Sequence, residues 1–323
     1  MREITYRQAI NEALHEEMAR DGTVLIWGES ICQDFWGTHN GLVARFGRER
    51  IRDTAISEAA IVGAAVGAAL AGYRPIADLW DAAFLYCACD ETLNYAATFR
   101  FVNGGRAKIP MVIKAPIGGY SGGGAMASQC PEGFVWHRPG LKIAMPSNPY
   151  DAKGLLKTAI RDNNPVVYFF HKRLMNTTGK VPDKEYLVPF GVADVKKEGT
   201  DVTVVATAYM VKFVLDVAEQ LQTRGISIEV IDPRTLEPFD IDTIIKSVKK
   251  TGRLVIVDED LSRCGVTGEI GMLVMERAFK HLRAPVKRVC AANMPIPSSL
   301  LQQYALPQPQ NIIDAVKEVI RSS

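Results

Sequence analysis

The sequence lacks the features that would place a protein in a membrane or on a nucleic acid. Its longest stretch of small and apolar residues, 59–72, is interrupted by glycines and closed by Arg74-Pro75, so it is not a membrane span. Basic and acidic side chains are interspersed, and the net charge is only +2. The first residues carry no apolar signal core. We therefore expect a cytoplasmic protein that binds neither nucleic acid nor membrane.

Cysteine is also scarce and carries no recognisable pattern. The six cysteines form no C-x-x-C pair, and their spacing matches no zinc or redox motif. Cys87 and Cys89 lie in an apolar stretch and are predicted to be small core residues. Reduced thiols are therefore expected.

Buried strands and helices alternate along the chain. Of 323 residues 47% are hydrophobic, which suits about two domains. The alternation runs through 1–172 and resumes after 201, with a proline-rich and charged connection at 173–195. It predicts an α/β fold of two doubly wound domains, 1–180 and 190–323. Ligands of such sheets bind beyond the carboxyl ends of the strands.

The segment Asp53 to Gly72 places one carboxylate, Glu58, at the head of a helix rich in glycine and alanine. This composition predicts a helix packed closely on all sides, with Glu58 near a buried site. An ionised carboxylate in such a place needs a partner or a raised pKa. Position alone favours the alternative, a first-turn acid that interacts favourably with the helix dipole.

A second unusual segment, Gly118 to Ala125, has five glycines in eight residues. It matches neither G-x-G-x-x-G nor the P-loop pattern. We expect a mobile or tightly folded loop beside a site.

Six motifs of the sequence belong together: Ile56-Ser57-Glu58, the Gly63–Gly72 run, His137-Arg138-Pro139-Gly140-Leu141-Lys142, Pro149–Leu155, Ala159–Val166 and Val230–Thr235. With them the chain resembles, over nearly its whole length, the β subunit of the decarboxylating component of thiamine-diphosphate-dependent 2-oxo acid dehydrogenases. The pyruvate and acetoin branches of that family look closest.

The resemblance implies a transketolase-like pyrimidine-binding domain, a transketolase C-terminal-like domain and an α2β2 assembly. Thiamine diphosphate would lie at the α/β interface. The Gly-Asp-Gly motif that usually signals the metal-diphosphate site does not occur in this chain. The α subunit is therefore expected to supply Mg²⁺ and the diphosphate pocket.

The resemblance also assigns roles to individual residues. Glu58 would be the acid that hydrogen-bonds the aminopyrimidine ring and sets its tautomer, while the cofactor acts as the electron sink. Phe84 would pack on that ring, Trp80 would be a neighbouring contact, and Glu29 would be a second acid near the site. His137 matches a family position and either lines the site as a catalytic residue or is structural.

A potassium site is the next implication. Backbone oxygens bind K⁺ in relatives at a loop that this sequence matches, and a hard cation suits oxygen ligands. Asp-Asn-Asn-Pro is also ordinary turn chemistry, which leaves a plain turn as the alternative. The matching residues are Met111, Ala159, Ile160, Asp162 and Asn164.

One departure from the family is important. Relatives usually have Gln-His-Ser-Gln after the glycine-rich loop, with the histidine facing the reacting carbon, whereas this chain has Met126-Ala127-Ser128-Gln129. Ala127 neither donates nor accepts a proton, so acyl transfer is in doubt more than cofactor activation. His39, in the loop after Glu29, is predicted to lie at the surface, with an inward orientation as the alternative.

Three functions remain open on the sequence. The first is decarboxylation of a pyruvate-like 2-oxo acid, or cleavage of acetoin, with acyl transfer to lipoamide on an acyltransferase or carrier protein. The second is carbon–carbon bond formation to an acyloin or ketone, which Ala127 motivates. The third is a non-catalytic partner that stabilises the α subunit, against which Glu58 and Phe84 argue.

Overall fold

The computed structural model describes residues 1–322 and divides the chain into two compact units. The first unit comprises Met1–Ile117 and Val135–Phe190; the second comprises Gly118–Phe134 and the chain from Gly191 onward. The glycine-rich segment thus packs with the second unit although it is inserted in the sequence of the first. This grouping follows packing, and the domain boundaries at 180 and 190 stay a prediction.

The helices and strands of the first unit alternate as the sequence pattern predicts. In chain order they are β1 Arg2–Thr5, α1 Tyr6–Arg20, β2 Val24–Gly28, α2 Leu42–Phe46, β3 Ile51–Asp53, α3 Glu58–Leu70, β4 Arg74–Asp78, α4 Phe99–Val102, β5 Val112–Ile117, α5 Glu132–Trp136 (which begins in the second unit), β6 Lys142–Ala144, α6 Pro149–Arg161, β7 Val166–His171 and β8 Thr178–Val181.

A parallel sheet in the order β6-β7-β5-β4-β2-β3 forms the centre of this unit. β5 and β7 are buried along their whole length, as expected for strands covered on both faces. β1 pairs antiparallel with β8 at the periphery. The predicted connection 173–195 therefore contains β8, which its short and largely exposed sequence did not reveal.

Helix α3 differs from the prediction in its packing. Ile61, Val62 and Ala65 are buried, but Ala60 and Ala64 lie on an exposed face. The helix is therefore covered on one side only, and its small residues leave that other side open. The prediction that α3 is enclosed on all sides was wrong for the single chain.

The segment from Ala82 to Val102 forms irregular helices. A three-ten helix spans Ala82–Ala88, a π-helix spans Asp90–Ala96, and only the end is α-helical. The backbone N–H of Ala97 donates to the Thr92 carbonyl five residues earlier, which widens the turn. This path exposes Cys87 and half-buries Cys89, so their prediction as core residues was wrong. All six cysteines within residues 1–322 are free.

The second unit is a smaller α/β layer structure. Its sheet has the order β14-β13-β10-β11-β9, parallel except for β9. Its core consists of apolar residues from the sheet and from helices on it. The elements are β9 Asp194–Lys197, β10 Val202–Ala206, α7 Met210–Gln222, β11 Ile228–Asp232, β12 Thr235–Glu237, α8 Ile241–Thr251, β13 Leu254–Leu261, α9 Val266–Ala278, β14 Lys287–Ala291 and α10 Pro309–Arg321.

No helix within residues 1–322 is both long enough and apolar enough to cross a membrane.

Candidate active site

The four predicted cofactor contacts, Glu29, Glu58, Trp80 and Phe84, lie on segments that follow strands of the first unit's sheet. Glu29 directly follows β2, and Trp80 comes two residues after β4. Glu58 is the first residue of α3, after the short strand β3. Because β2, β3 and β4 run parallel, their carboxyl ends share one edge. This is where open α/β sheets bind their ligands.

Glu58 combines burial with a helix N-terminus. It is 9% exposed and is the first residue of the helix, whose N-terminal end carries a partial positive charge. The Trp27 indole fixes this end of α3 by donating to the Ile61 carbonyl at 2.9 Å. Glu58 is therefore a nearly buried acid held by β2 at the carboxyl edge.

Trp80 and Phe84 lie on the loop and three-ten helix that follow β4. The Asp81 carboxylate caps that helix by accepting from the Ala83 N–H at 3.0 Å, and a buried ion pair joins it to Lys172. Both aromatic rings remain half-exposed. The segment also packs against α3, the helix that begins with Glu58. A nearly buried acid and an accessible ring fit the needs of an aminopyrimidine: a hydrogen-bonding carboxyl and an apolar face.

Glu29 is half-buried and follows a point where β2 and β4 approach each other closely. A Cβ on Gly28 would lie 2.1 Å from the Asp78 carbonyl oxygen, so only glycine allows β2 to approach β4 there. The next residue, Ser30, has a positive φ of 52°. The chain thus leaves the sheet abruptly at Glu29.

His39 was predicted to lie at the surface, and the structure corrects this. The residue is 6% exposed, and its Nε2 lies 2.7 Å from Asp78 Oδ2. Lys114, which is fully buried, donates from Nζ to the same oxygen at 2.7 Å and to Thr38 Oγ1 at 3.2 Å. His39 and Lys114 lie 39 and 36 positions from Asp78 along the chain, on opposite sides of it, so no local pattern connects the three residues.

The charges in this cluster compensate one another. Burial alone would raise the pKa of Asp78. The charges of Lys114 and then His39 together lower this pKa by more than burial raises it, so the net shift is downward. Asp78 is therefore an ionised carboxylate that accepts hydrogen bonds from both partners. Removing one partner of such a buried ion pair strongly destabilises the fold, because the other charge is left buried without a partner.

His137 lies at the end of α5 and is exposed. Its neighbour Arg138 is anchored by a 2.7 Å hydrogen bond from Nε to the Leu93 carbonyl. A catalytic role for His137 stays a prediction.

Two protein cations bind the loop that is predicted to hold potassium. Arg74 donates to the Ile160 carbonyl at 3.0 Å and to the Asp162 carbonyl at 2.8 Å, and Lys142 pairs with the Asp162 carboxylate. The Met111 carbonyl accepts from the Val166 N–H, and the Ala159 carbonyl accepts from the Asp162 N–H. Each carbonyl oxygen has a second lone pair that could accept a further cation. The positive charges of Arg74 and Lys142 would repel that cation, so the K⁺ site stays a prediction.

The glycine-rich segment of the second unit is tied down rather than mobile. Gly119 N–H donates to the Glu259 carboxylate, and Gly122 N–H donates to Gln302 Oε1 at 3.0 Å. The Tyr120 hydroxyl donates to the Pro307 carbonyl at 2.7 Å. Ala127 follows these anchors and is half-buried. Its neighbour Met126 is 70% exposed.

Four carboxylates lie close to one another in the second unit, a feature that the sequence analysis missed. Asp258, Glu259 and Asp260 lie in β13 where its register with β14 shifts, and Glu132 begins α5. Burial, and then the neighbouring acid charges, raise the pKa of Glu132 well above its usual range and that of Asp260 to about 7. Burial also raises the pKa of Asp258. A run of Asp-Glu-Asp after an apolar strand was the only available signal.

Among residues 1–322, no group of three or more His, Cys, Asp or Glu side chains has the arrangement of a metal site. The expected Mg²⁺ site on another subunit stays a prediction.

Two family models match the chain. The model for the transketolase pyrimidine-binding domain matches residues 2–178, and that for the transketolase C-terminal domain matches 191–312. A split-gene transketolase, described as an inactive β4 tetramer, shares the fold, with a TM-score of 0.81 at 23% identity and 98% coverage of both chains.

Sequence relatives match over almost their full length. The β subunit of acetoin:2,6-dichlorophenolindophenol oxidoreductase from Bacillus subtilis is 42% identical, over 99% of this chain and 98% of the relative. The mitochondrial pyruvate dehydrogenase E1 β subunit of Dictyostelium discoideum is 44% identical, over 98% and 91%. The 2-oxoisovalerate dehydrogenase β subunit of B. subtilis is 39% identical, over 98% of each.

Proposed function

Because this chain belongs to the β-subunit family of the thiamine-diphosphate-dependent 2-oxo acid and acetoin dehydrogenases, we propose that it decarboxylates a pyruvate-like 2-oxo acid or cleaves acetoin and passes on the acyl unit. The observation that carries this proposal is Glu58, nearly buried at the N-terminus of α3 on the carboxyl edge of the sheet.

The proposed division of labour follows from the residues present. When bound, thiamine diphosphate supplies the electron sink for decarboxylation. Glu58 hydrogen-bonds the ring nitrogen of the pyrimidine and exchanges a proton with it. Phe84 packs on the ring and Trp80 borders it, while Glu29 is a second acid at the same edge. His137 is kept as a candidate that lines the site.

A second subunit is part of the proposal. Beside the exposed face of α3 lies a cavity of about 620 Å³ lined largely by apolar atoms, among them side chains of Trp27, Ala60 and Ala64. Exposed small residues allow a partner backbone to approach closely, and an apolar surface of this kind marks an interaction site. We propose that an α subunit with Mg²⁺ and the diphosphate pocket covers it in an α2β2 assembly. An acyltransferase or carrier protein then receives the acyl unit.

Substitution of Glu58 by Gln tests this function. The amide keeps the shape but cannot exchange the proton, so cofactor-dependent release of CO₂ by the co-expressed α and β subunits should fall by at least about a hundredfold. Glu3→Gln, at an exposed carboxylate in β1 of the same unit, is the matched control and should be unaffected. Unchanged turnover of Glu58→Gln would remove this residue from the mechanism and favour a purely stabilising subunit.

Ala127 supports carbon–carbon bond formation as a second candidate function. With a methyl group in place of the family's imidazole, the position lacks a proton donor for transfer to lipoamide. The wild-type pair should then form acyloin or ketone products and fail to acylate a lipoyl domain, and Ala127→His should gain acylation. Met126→Ala, at an exposed neighbour of Ala127, is the control. Ser128→Ala is unsuitable because Ser128 accepts a hydrogen bond from Gln302. Efficient lipoyl acylation by the wild type would exclude this second function.

A further inference from the structure

An aromatic cluster in the first unit goes beyond the residues that the family resemblance assigns. Phe35 lies 4.5 Å from Trp80 and 4.9 Å from Trp36, measured between ring centroids. Trp36 donates from Nε1 to the Trp80 carbonyl at 3.2 Å. Phe35 nevertheless keeps 63% of its surface exposed. The three rings therefore form a wall with one open ring at the carboxyl edge of the sheet.

The loop that carries this wall has an unfavourable backbone. Ser30 and Asp34, neither of them glycine, have φ values of 52° and 50°, and Gly37 has a φ of 70°. Such conformations persist only where the surroundings hold them, and they concentrate at functional sites. The loop between β2 and α2 is thus held in place by its contacts rather than by its own propensity.

The buried cluster around Asp78 supplies those contacts. His39 binds Asp78 through its ring, and its backbone N–H donates to Asp34 Oδ1 at 2.7 Å. Lys114 binds the same Asp78 oxygen and lies over the Phe170 ring at 4.4 Å, against which Trp36 packs edge-on. The ion pair and the aromatic wall are therefore one connected structure.

We propose that Phe35, Trp36 and Trp80 form a specificity wall for a large apolar side chain, aromatic above all, of the 2-oxo acid, and that His39 is a positioning residue that holds it. This inference rests on the proposed function, since Trp80 borders the proposed cofactor site. An exposed aromatic ring beside two others offers an offset or edge-on contact to a planar group, which a methyl group cannot use.

Phe35→Ala is the first test, because Phe35 is exposed and its loss spares the core. In the complete α/β enzyme the variant should raise KM for phenylpyruvate by about tenfold relative to pyruvate, with kcat little changed. Phe101→Ala, at a ring that is 88% exposed on α4, is the control and should leave both substrates alone. An equal loss for both substrates, or weaker association with the α subunit at an unchanged substrate ratio, would overturn the inference.

His39 is tested by rescue and by spectroscopy. His39→Ala should shift the near-ultraviolet circular dichroism of the tryptophans and reproduce the KM effect of Phe35→Ala, whereas His39→Gln, which retains a donor toward Asp78, should restore both. Identical KM values for His39→Ala and wild type would remove His39 from positioning.

Tryptophan fluorescence separates this inference from the proposed function. Phenylpyruvate should quench the wild-type complex at lower concentration than pyruvate does, and Phe35→Ala should remove the difference. If the wild type decarboxylates no 2-oxo acid, the proposed function fails while the quenching still tests the wall. If it decarboxylates both acids but Phe35→Ala leaves the quenching and the KM ratio unchanged, the inference alone fails.

Discussion

The acidic cluster of the second unit predicts an unusual dependence of stability on pH. Asp260 is the informative member, because burial and then the charge of Asp258 raise its pKa from 3.8 to about 7. Burial also raises the pKa values of Glu132 and Asp258, and the nearby acids oppose ionisation of each other. A raised pKa in the folded state means that folding favours the protonated form. The stabilising contribution is therefore complete below pH 3.8 and is lost as the pH rises through about 7.

The size of the effect follows from the same values. One pKa unit corresponds to ~1.36 kcal/mol of free energy, so the rise in the pKa of Asp260 from 3.8 to about 7 corresponds to about 4 kcal/mol in the free energy of unfolding. Most of it is lost between pH 4 and pH 7, as the unfolded chain ionises and the folded chain does not. Asp260→Asn keeps an oxygen that can accept from the Leu261 N–H, now at 2.7 Å, but has no charge to bury. The variant should lose this part of the pH dependence and exceed the wild type in stability at pH 8.

The assay must distinguish the two units. All four tryptophans, Trp27, Trp36, Trp80 and Trp136, lie in the first unit, so tryptophan fluorescence reports its unfolding. Far-ultraviolet circular dichroism reports both units. Urea unfolding at pH 5.5 and pH 8 should show the difference between wild type and Asp260→Asn by dichroism, with Asp216→Asn at an exposed carboxylate as control. An equal pH dependence in wild type and Asp260→Asn would refute the reasoning.

Two further predictions concern the first unit. Gly28→Ala places a Cβ 2.1 Å from the Asp78 carbonyl oxygen, so β2 and β4 must separate. We expect the free energy of unfolding, measured by tryptophan fluorescence, to fall by at least about 2 kcal/mol. Gly22→Ala, where no atom lies within 4 Å of the added Cβ, is the control. KCl should raise the melting temperature more than NaCl at equal ionic strength if K⁺ binds the loop at Asp162. At a hundredfold excess of K⁺ over its Kd, the free energy of unfolding would rise by about 2.7 kcal/mol. Equal melting temperatures in the two salts would mean that the cations of Arg74 and Lys142 suffice there.

Much of the fold was predictable because its signals are local. Buried strands such as β5 and β7 are continuous apolar runs, and α1 shows its helical period in a single window. The prediction failed where contacts from elsewhere in the chain decide the backbone. The segment after Asp81 became a three-ten and a π-helix, although its composition suits an α-helix.

The candidate site divides along the same line. Glu58 was predicted from a contiguous motif and Phe84 from the family resemblance, and both roles stay predictions. The alternation of strands and helices already placed Glu29 and the segment after Trp80 beyond the ends of strands. The burial of His39 against Asp78 and Lys114 was not predictable, because three segments far apart in sequence must converge before the ion pair exists.

The sequence by itself therefore determined the two α/β units, the family and the acid that begins α3, since each is written in local periodicity or in a contiguous motif. Only the tertiary structure decided which side chains share a buried environment. It packed the glycine-rich segment with the second unit, brought Glu132 to Asp258 and Asp260, and placed the Phe35 ring beside Trp80. Burial and charge pairing depend on distance in space, and the chain sets that distance only when it folds.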